Sequence, residues 1–219
     1  MKIQALAITS LFVAVGALQG QAQEQSSANA VGYVKKTFSA GFTLFSNPLV
    51  AEDNKVASLM PAPAAGTIVY KFNPATSGFV ANSYLEIVPG LAGWLDDSMT
   101  LTPGEAAFIS VPAGQSVDAI FVGTVAQGDL STSFPAGFSL ISSQVPQAGK
   151  ISADLGLSVD NVNAVYTFDN ASQGYTAFPV TEIPGVGTLF DDPAIAIGEG
   201  VFLDASAEGS WDRSFSVSE

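Results

Sequence analysis

The side chains best suited to chemistry in this sequence are two pairs of adjacent aspartates, each followed by a glutamate. Asp96-Asp97 precede Glu105, and Asp191-Asp192 precede Glu199 in a second stretch of similar sequence. Carboxylate oxygens in loops are ligands that calcium prefers, so Asp96, Asp97, Asp191 and Asp192 are candidate calcium ligands. The same pattern also suits a turn in which aspartate accepts backbone N–H groups. The turn is the favoured interpretation, so no cofactor is expected, with calcium as the alternative.

Paired carboxylates also serve glycoside hydrolases, which place two of them about 5 to 10 Å apart. Adjacent residues of a strand point to opposite faces, so such a pair would combine Asp97 with Glu105. The chain has no histidine and no cysteine, which removes Ser-His-Asp triads, cysteine nucleophiles and histidine metal sites. We therefore expect that the protein is not an enzyme, and a glycoside-active enzyme is only a third alternative.

Large aromatic side chains near expected loops are the other candidate site. Exposed rings can stack on sugars, so Trp94, Tyr84 and Tyr175 are candidate ligand-binding residues of a carbohydrate-binding module. Burial in the core is the alternative for such residues. It is favoured at Trp94, because Leu189 or Phe190 takes its place in the second stretch of similar sequence.

The elements that position these side chains recur along the chain. "FSAGFTLFSNPL" at residues 38–49 matches "FPAGFSLISSQV" at 134–145, and "VYKFNPATSGF" at 69–79 matches "VYTFDNASQGY" at 165–175. "PGEAAF" in the first half likewise matches "IGEGVF" in the second. Landmarks that recur in the same order predict two copies of one unit, at residues 23–126 and 127–219.

Each copy has the pattern of short strands. Runs such as "GTIVYKFN" and "DAIFVGTV" are rich in Val, Ile, Phe and Tyr and end at Gly, Pro or Asn turns. The best helical candidates, at residues 53–61 and 149–157, are each expected to form one short helix or turn. Gly41 and Gly137 are predicted to lie in turns that need either positive φ or a close approach of the backbone. The sequence predicts an all-β fold of two tandem, sequence-similar β-sandwich or jelly-roll-like units with short turns and little helix.

The N-terminus is typical of a secretory signal peptide. Lys2 precedes an apolar run from Ala5 to Leu18, and small residues follow up to Ala22. The run is shorter than the roughly 20 residues of a membrane-spanning helix. We therefore expect residues 1–22 to be removed after Ala22, and the mature protein to be secreted, periplasmic or on the cell surface, with no transmembrane segment.

The balance of charge limits the partners. Seven Lys and Arg residues stand against 20 Asp and Glu residues, for a formal net charge of −13. Nucleic acid is therefore not an expected partner, because phosphate contacts need clustered Lys and Arg. The absence of cysteine excludes disulfides and a lipoprotein anchor, so stability must come from an apolar core.

The motifs "AGFTLFSNPL", "VYKFNPATSGFVA", "WLDDSMTLTPGEAAFI" and "IFVGTV" resemble a duplicated β-domain of uncharacterised secreted proteins of Verrucomicrobia-type bacteria. They are more distantly similar to "GW-L-NPY…PG-FFV" modules of secreted Bacteroidetes proteins. The resemblance spans residues of about 31 to 217 and implies a secreted β-protein. It supplies no catalytic residues to carry across.

The expected function is that of an exported structural or adhesive protein of the cell surface or extracellular matrix. Strand-rich proteins have edges that must be paired or protected, and Lys35 and Lys36 are predicted to protect one of them. A neighbour's strand at such an edge would give self-assembly. The expected partners are thus further copies of the chain or, in the alternative of a carbohydrate-binding module, a surface polysaccharide.

Overall fold

The computed structural model describes residues 30–217, which form fourteen β-strands and one short helix, α1 (Val56–Leu59). The predicted signal peptide, residues 1–22, lies outside the described residues. The strands are β1 (Val31–Ser46), β2 (Ile68–Asn73), β3 (Gly78–Val88), β4 (Leu91–Trp94), β5 (Ala106–Thr124), β6 (Gly128–Phe134), β7 (Gly137–Ser142), β8 (Gly149–Lys150), β9 (Val162–Asp169), β10 (Gly174–Ile183), β11 (Gly187–Phe190), β12 (Ala194–Ile195), β13 (Gly200–Ala205) and β14 (Gly209–Phe215). Within residues 30–217, no helix has the length and apolar character needed to cross a membrane.

Two five-stranded sheets make up most of the fold. The N-terminal sheet has the strand order β1-β5-β2-β3-β4, and the C-terminal sheet has the order β11-β10-β9-β13-β7. Two smaller sheets pair β12 with β8 and β14 with β6. Neighbouring strands are antiparallel throughout, so the prediction of an all-β protein with little helix is confirmed.

Glycines set the bends of the long strands. Gly41 has φ +100° and lies at a shift of register between β1 and β5, while Gly137 has φ +90° and begins β7. Positive φ, one of the two predicted alternatives, is therefore found at both glycines, and it is a conformation in which a Cβ is strained. The Pro and Gly of "VPAGQ", residues 111–115, are typical of a turn, yet β5 runs through them.

Each sheet packs its outer face on its own apolar core. Phe45, Ile109 and Phe121 belong to the core beside the N-terminal sheet, and Leu203 and Trp211 belong to the core beside the C-terminal sheet. A third and smaller core joins the inner faces of the two sheets. Its buried members are Leu44, Ala106, Phe108 and Leu140.

Backbone hydrogen bonds tie the two sheets together at two similar crossings. The Ser46 N–H donates to the Gly198 carbonyl at 3.0 Å, and the Ser142 N–H donates to the Gly104 carbonyl at 2.9 Å. Lys36 strengthens the first crossing, because its Nζ donates to the Gly198 carbonyl at 2.9 Å. Lys36 thus joins the two sheets, and Lys35, predicted with it to protect an edge, pairs with Asp118 across the strands β1 and β5 at 2.7 Å.

Candidate functional site

Ten aromatic side chains lie on the inner sides of the two sheets and form one network of ring contacts, which we call the aromatic seam. Alternation along each strand directs one residue in two toward this side, and some of the residues between them, such as Val69, Val165 and Leu203, enter the outer cores. Members of the seam are Phe42, Tyr70, Phe72, Phe79 and Phe108 from the N-terminal sheet and Phe138, Tyr166, Phe168, Tyr175 and Phe202 from the C-terminal sheet.

The rings of the seam interlock edge to face. Phe108 and Phe168 have ring centroids 5.1 Å apart at an angle of 85°, and Phe72 and Phe202 have centroids 5.0 Å apart at 63°. Both contacts cross from one sheet to the other. Edge-to-face packing places the positive edge of one ring on the negative face of another. It also leaves a corrugated surface in place of a flat platform.

The larger of two openings in the seam has a volume of about 630 Å³. This large aromatic pocket is lined by Phe42, Tyr70, Phe79, Phe108, Phe168, Gln173 and Tyr175. Its size falls in the range of ligand-binding pockets, about 300 to 1,000 Å³. Partial burial raises the pKa of the Tyr175 phenol above its ordinary value, so the phenol is a neutral group at physiological pH.

The smaller opening, with a volume of about 320 Å³, is lined by aromatic side chains alone. This small aromatic pocket is formed by Phe138, Tyr166, Tyr175 and Phe202. Tyr175 lines both pockets, and its ring contacts Phe108 on one side and Phe202 on the other. The two pockets are therefore neighbouring parts of one aromatic surface.

Amide side chains of the β9–β10 turn hold one wall of the large aromatic pocket. The Phe42 N–H donates to Gln173 Oε1 at 2.8 Å, and Gln173 Nε2 donates to the Phe42 carbonyl at 2.9 Å. Asn170 Nδ2 donates to Thr43 Oγ1 at 2.8 Å. Pro74 and Ser77 take the corresponding places in the β2–β3 turn, and neither has a long amide side chain. Amide side chains therefore fix a wall of the large aromatic pocket, and the corresponding turn between β2 and β3 offers no such side chains to the small one.

Of the three aromatic residues predicted to bind ligand, the structure places only Tyr175 in the seam. Tyr84 is 8% exposed and packs edge to face on Trp94, with ring centroids 5.5 Å apart. The Trp94 indole N–H donates to the Met60 carbonyl at 2.8 Å, and the ring packs against the outer core of the N-terminal sheet. A ligand-binding role of Tyr84 and Trp94 stays a prediction. Both residues lie outside the aromatic seam.

One aspartate of each pair accepts hydrogen bonds from backbone N–H groups. Asp96 Oδ1 accepts the Ser98 hydroxyl at 2.6 Å and the Ser98 N–H at 2.8 Å, and these bonds lower the pKa of Asp96. Asp192 accepts the N–H groups of Ser152 and Ala153 at 3.0 and 2.9 Å.

The other member of each pair, Asp97 and Asp191, is exposed. Across residues 30–217, no three acidic, histidine or cysteine side chains form a group that could hold a metal ion. The calcium site stays a prediction. Asp96 accepts the N–H of its own turn, as the alternative of a turn expects, whereas Asp192 accepts N–H groups of a distant segment, residues 152–153.

Glu105 forms an ion pair with the neighbouring strand β2. Its Oε1 accepts from Lys71 Nζ at 2.9 Å, and its Oε2 accepts the Thr102 N–H at 2.8 Å. Burial raises the pKa of Glu105, but the Thr102 hydrogen bonds and the Lys71 ammonium outweigh burial and hold it below its ordinary value. Both oxygens of the Glu105 carboxylate therefore accept hydrogen bonds from neighbouring groups, Lys71 at one oxygen and Thr102 at the other.

We expect Glu105→Gln to lower the free energy of unfolding at pH 7 by about 0.5–1 kcal/mol, a small figure because the ion pair is partly exposed and screened. The folded pKa lies below the unfolded one, so the stabilisation is complete above the unfolded pKa of about 4.3 and is lost as the pH falls through the folded pKa. Urea unfolding between pH 7 and 3 measures both effects. The control is Glu199→Gln, because the Glu199 carboxylate accepts the Ala196 N–H at 2.8 Å but forms no salt bridge within residues 30–217. Equal pH profiles for Glu105→Gln and the wild type would contradict the prediction.

No protein-family model, curated protein or solved structure matches this chain. The aromatic seam is therefore the feature from which a function can be inferred. Sequence reasoning found Tyr175 and missed most of the other nine rings. The signal for them is recurrence: Phe42 and Phe138, Tyr70 and Tyr166, Phe72 and Phe168, Phe79 and Tyr175, and Phe108 and Phe202 occupy matching places in the two similar stretches.

Proposed function

We propose that this chain is an exported, non-enzymatic adhesive protein of the cell surface or extracellular matrix, and that it binds through the aromatic seam. The observation that supports the proposal is the solvent exposure of aromatic rings in the seam. Phe42, Phe79, Phe138 and Tyr175 are each between 43% and 54% exposed. Burying one large apolar side chain contributes about 1.5–3 kcal/mol. A partner that covers these four half-exposed rings would therefore gain free energy of binding. Exposed apolar patches of this kind mark interaction sites.

The proposal includes two copies of one unit that share the seam. The two five-stranded sheets support this organisation, since their strand orders correspond when each is traced from its short outer strand, β4 or β11. The crossings at Ser46 and Ser142 support it as well, because each serine donates to the glycine before a glutamate of the other sheet. Two units would present two related binding surfaces side by side.

Self-assembly through strand edges is a further part of the proposal. The outer strands β4 and β11 are four residues each, and Leu91 in β4 and Leu189 in β11 are largely exposed. Val186, in the turn before β11, is also largely exposed. An apolar strand at a sheet edge offers unpaired backbone groups and side-chain contacts to a strand of a neighbour.

Carbohydrate binding is the second candidate function, and the exposed ring of Tyr175 favours it. Sugars stack on open ring faces, and they also need hydrogen-bond partners for their hydroxyl groups. The seam offers interlocked rings, and the Gln173 amide already binds the backbone of Phe42. An adhesive surface for apolar or cationic groups fits this chemistry better than a sugar platform does.

The test is retention of the mature chain, residues 23–219, on cell envelopes of the producing organism. We expect the variant Phe79→Ser, Phe138→Ser, Tyr175→Ser to lose retention by about tenfold or more, since a few aromatic residues dominate most interfaces. The matched control is Leu91→Ser, Val186→Ser, Leu189→Ser, which removes three apolar side chains outside the seam that are even more exposed than those of the seam variant.

The two variants separate the parts of the proposal. Loss of retention in the seam variant alone supports binding through the aromatic seam, and loss in the control variant alone supports attachment through strand edges and contradicts a role for the seam. Equal retention of the wild type and both variants, or no retention of the wild type, would contradict an adhesive function. Competition by soluble polysaccharide would favour the carbohydrate-binding candidate.

A further inference from the structure

A carboxylate lies beside the small aromatic pocket. Strand pairing places Asp204 of β13 opposite Phe138 of β7 and opposite Ala164 of β9. Asp204 is also two residues after Phe202, and residues two apart in a strand share a face. The side chain is partly buried, and Asn163 Nδ2 donates to Asp204 Oδ1 at 3.3 Å. The pocket therefore combines four aromatic rings with one negative charge at its border.

From this arrangement we propose that the small aromatic pocket binds a small quaternary ammonium compound of the choline type. The inference rests on the proposed function, because it names the ligand class of part of the same surface. Aromatic faces are negative and attract cations, and groups of such rings are known to recognise quaternary ammonium ions. A quaternary ammonium has no N–H to satisfy, so it enters a pocket with few acceptors without the cost of unmade hydrogen bonds.

The negative charge around the small aromatic pocket favours a cation over an anion as its ligand. The residues that line both aromatic pockets include no Lys or Arg, and the whole chain has a formal net charge of −13. A field of that sign raises the local concentration of cations and repels anions. Choline is therefore expected to bind more tightly than phosphocholine, whose phosphate meets the same negative field.

The large aromatic pocket is the natural comparison, because it lacks this charge. Ser110 of β5 pairs with Phe42 in the way that Asp204 pairs with Phe138. The four rings of the small pocket correspond to four of the six rings of the large one, while the carboxylate is present at the small pocket alone of the two. The selectivity for a cation is therefore assigned to the small pocket and to Asp204.

The experiment is a titration of the mature chain with choline and with 3,3-dimethylbutan-1-ol, which has the same shape but no charge. Binding is followed by the aromatic carbon–proton signals of the protein and by calorimetry. We expect choline to shift the signals of Phe138, Tyr166, Tyr175 and Phe202 and to bind about tenfold more tightly than the neutral compound, as a desolvated cation–π contact implies. Equal binding of the two compounds would overturn the assignment of a cation site.

Variants locate the site. Asp204→Asn keeps the shape of the side chain and should weaken choline binding about tenfold, while the exposed Asp191→Asn should leave it unchanged. Tyr175→Leu removes a ring that is half exposed and gives a second test that does not depend on Asp204. Unchanged choline binding in both Asp204→Asn and Tyr175→Leu would overturn the proposal.

Failure of the ligand assignment is distinguishable from failure of the proposed function. If choline does not bind but retention on envelopes still depends on Phe79, Phe138 and Tyr175, the ligand class is wrong and the adhesive function stands. If choline does not bind and retention does not depend on these rings, both proposals fall. Binding of phosphocholine as tightly as choline would contradict the role of the negative field.

Discussion

Phe108→Ala is expected to lower the free energy of unfolding by about 3–5 kcal/mol, the usual cost of removing a buried phenylalanine. Phe108 is 5% exposed. Its ring contacts those of Phe42, Phe79, Phe168 and Tyr175, so it touches rings of both sheets. Alanine at this place leaves a cavity in the small core between the sheets and removes one wall of the large aromatic pocket.

Urea unfolding of the wild type, Phe108→Ala and Phe138→Ala measures this effect. Phe138 is the matched control, since it belongs to the same seam but is 45% exposed, and its removal should cost no more than about 1.5 kcal/mol because only about half of the side chain is buried. An equal loss of stability in the two variants would mean that Phe108 does not hold the sheets together in the way that its ring contacts indicate.

The fold class was predictable because its signals are local. Runs of Val, Ile, Phe and Tyr between Gly, Pro and Asn turns favour strands whatever their partners are. The positive φ of Gly41 and Gly137 was predictable for the same reason. A glycine at the matching place of both similar stretches indicates a backbone conformation that residues with a Cβ avoid. The continuity of β5 was not predictable, because it depends on pairing with β1 on both sides of "VPAGQ", up to Val111 and again from Ser116, with a shift of register between them.

The aromatic seam could not be predicted from alternation, because both faces of its strands are apolar. In β13, Val201 and Leu203 enter the outer core, while Phe202 lies in the seam. Periodicity shows that these residues lie on opposite faces. It does not show which face meets a second sheet and which is left half open, because the packing of two sheets depends on residues far apart in sequence.

Size and nearness to loops were a poor guide to which aromatic residues are open. Trp94 and Tyr84 are as large as Tyr175, yet they pack on each other beside an outer core. Tyr175 differs in having an aromatic residue, Phe79, at the matching place of the first stretch. Trp94 has Leu189 or Phe190 there. Recurrence of a ring separates Tyr175 from Trp94 and Tyr84, but it does not by itself mark the seam, because Phe38 and Phe134 also recur and lie in the outer cores.

Asn47→Ala is expected to lower the free energy of unfolding by about 2–4 kcal/mol, because it leaves buried backbone groups without their partners. Asn47 is fully buried. Its Nδ2 donates to the Leu101 carbonyl and to Asn54 Oδ1, both at 3.0 Å, and its Oδ1 accepts the Leu49 N–H at 3.1 Å. Asn54 has φ +50° and its Oδ1 also accepts the Ala51 N–H at 2.9 Å, so the two amides hold the whole segment after β1.

The matching place in the second stretch gives the control for Asn47. Ser143 stands there, and its hydroxyl contacts only one neighbour along the chain, Val145, through the carbonyl at 3.0 Å and the N–H at 3.3 Å. We expect Ser143→Ala to cost about 1 kcal/mol, because its two hydrogen bonds both go to Val145 and one of them is long, at 3.3 Å. Urea unfolding of both variants measures the difference. Equal losses would mean that the Leu101 carbonyl finds another partner when the amide is removed, whereas the expected gap would show that the two similar stretches hold the same loop by different side chains.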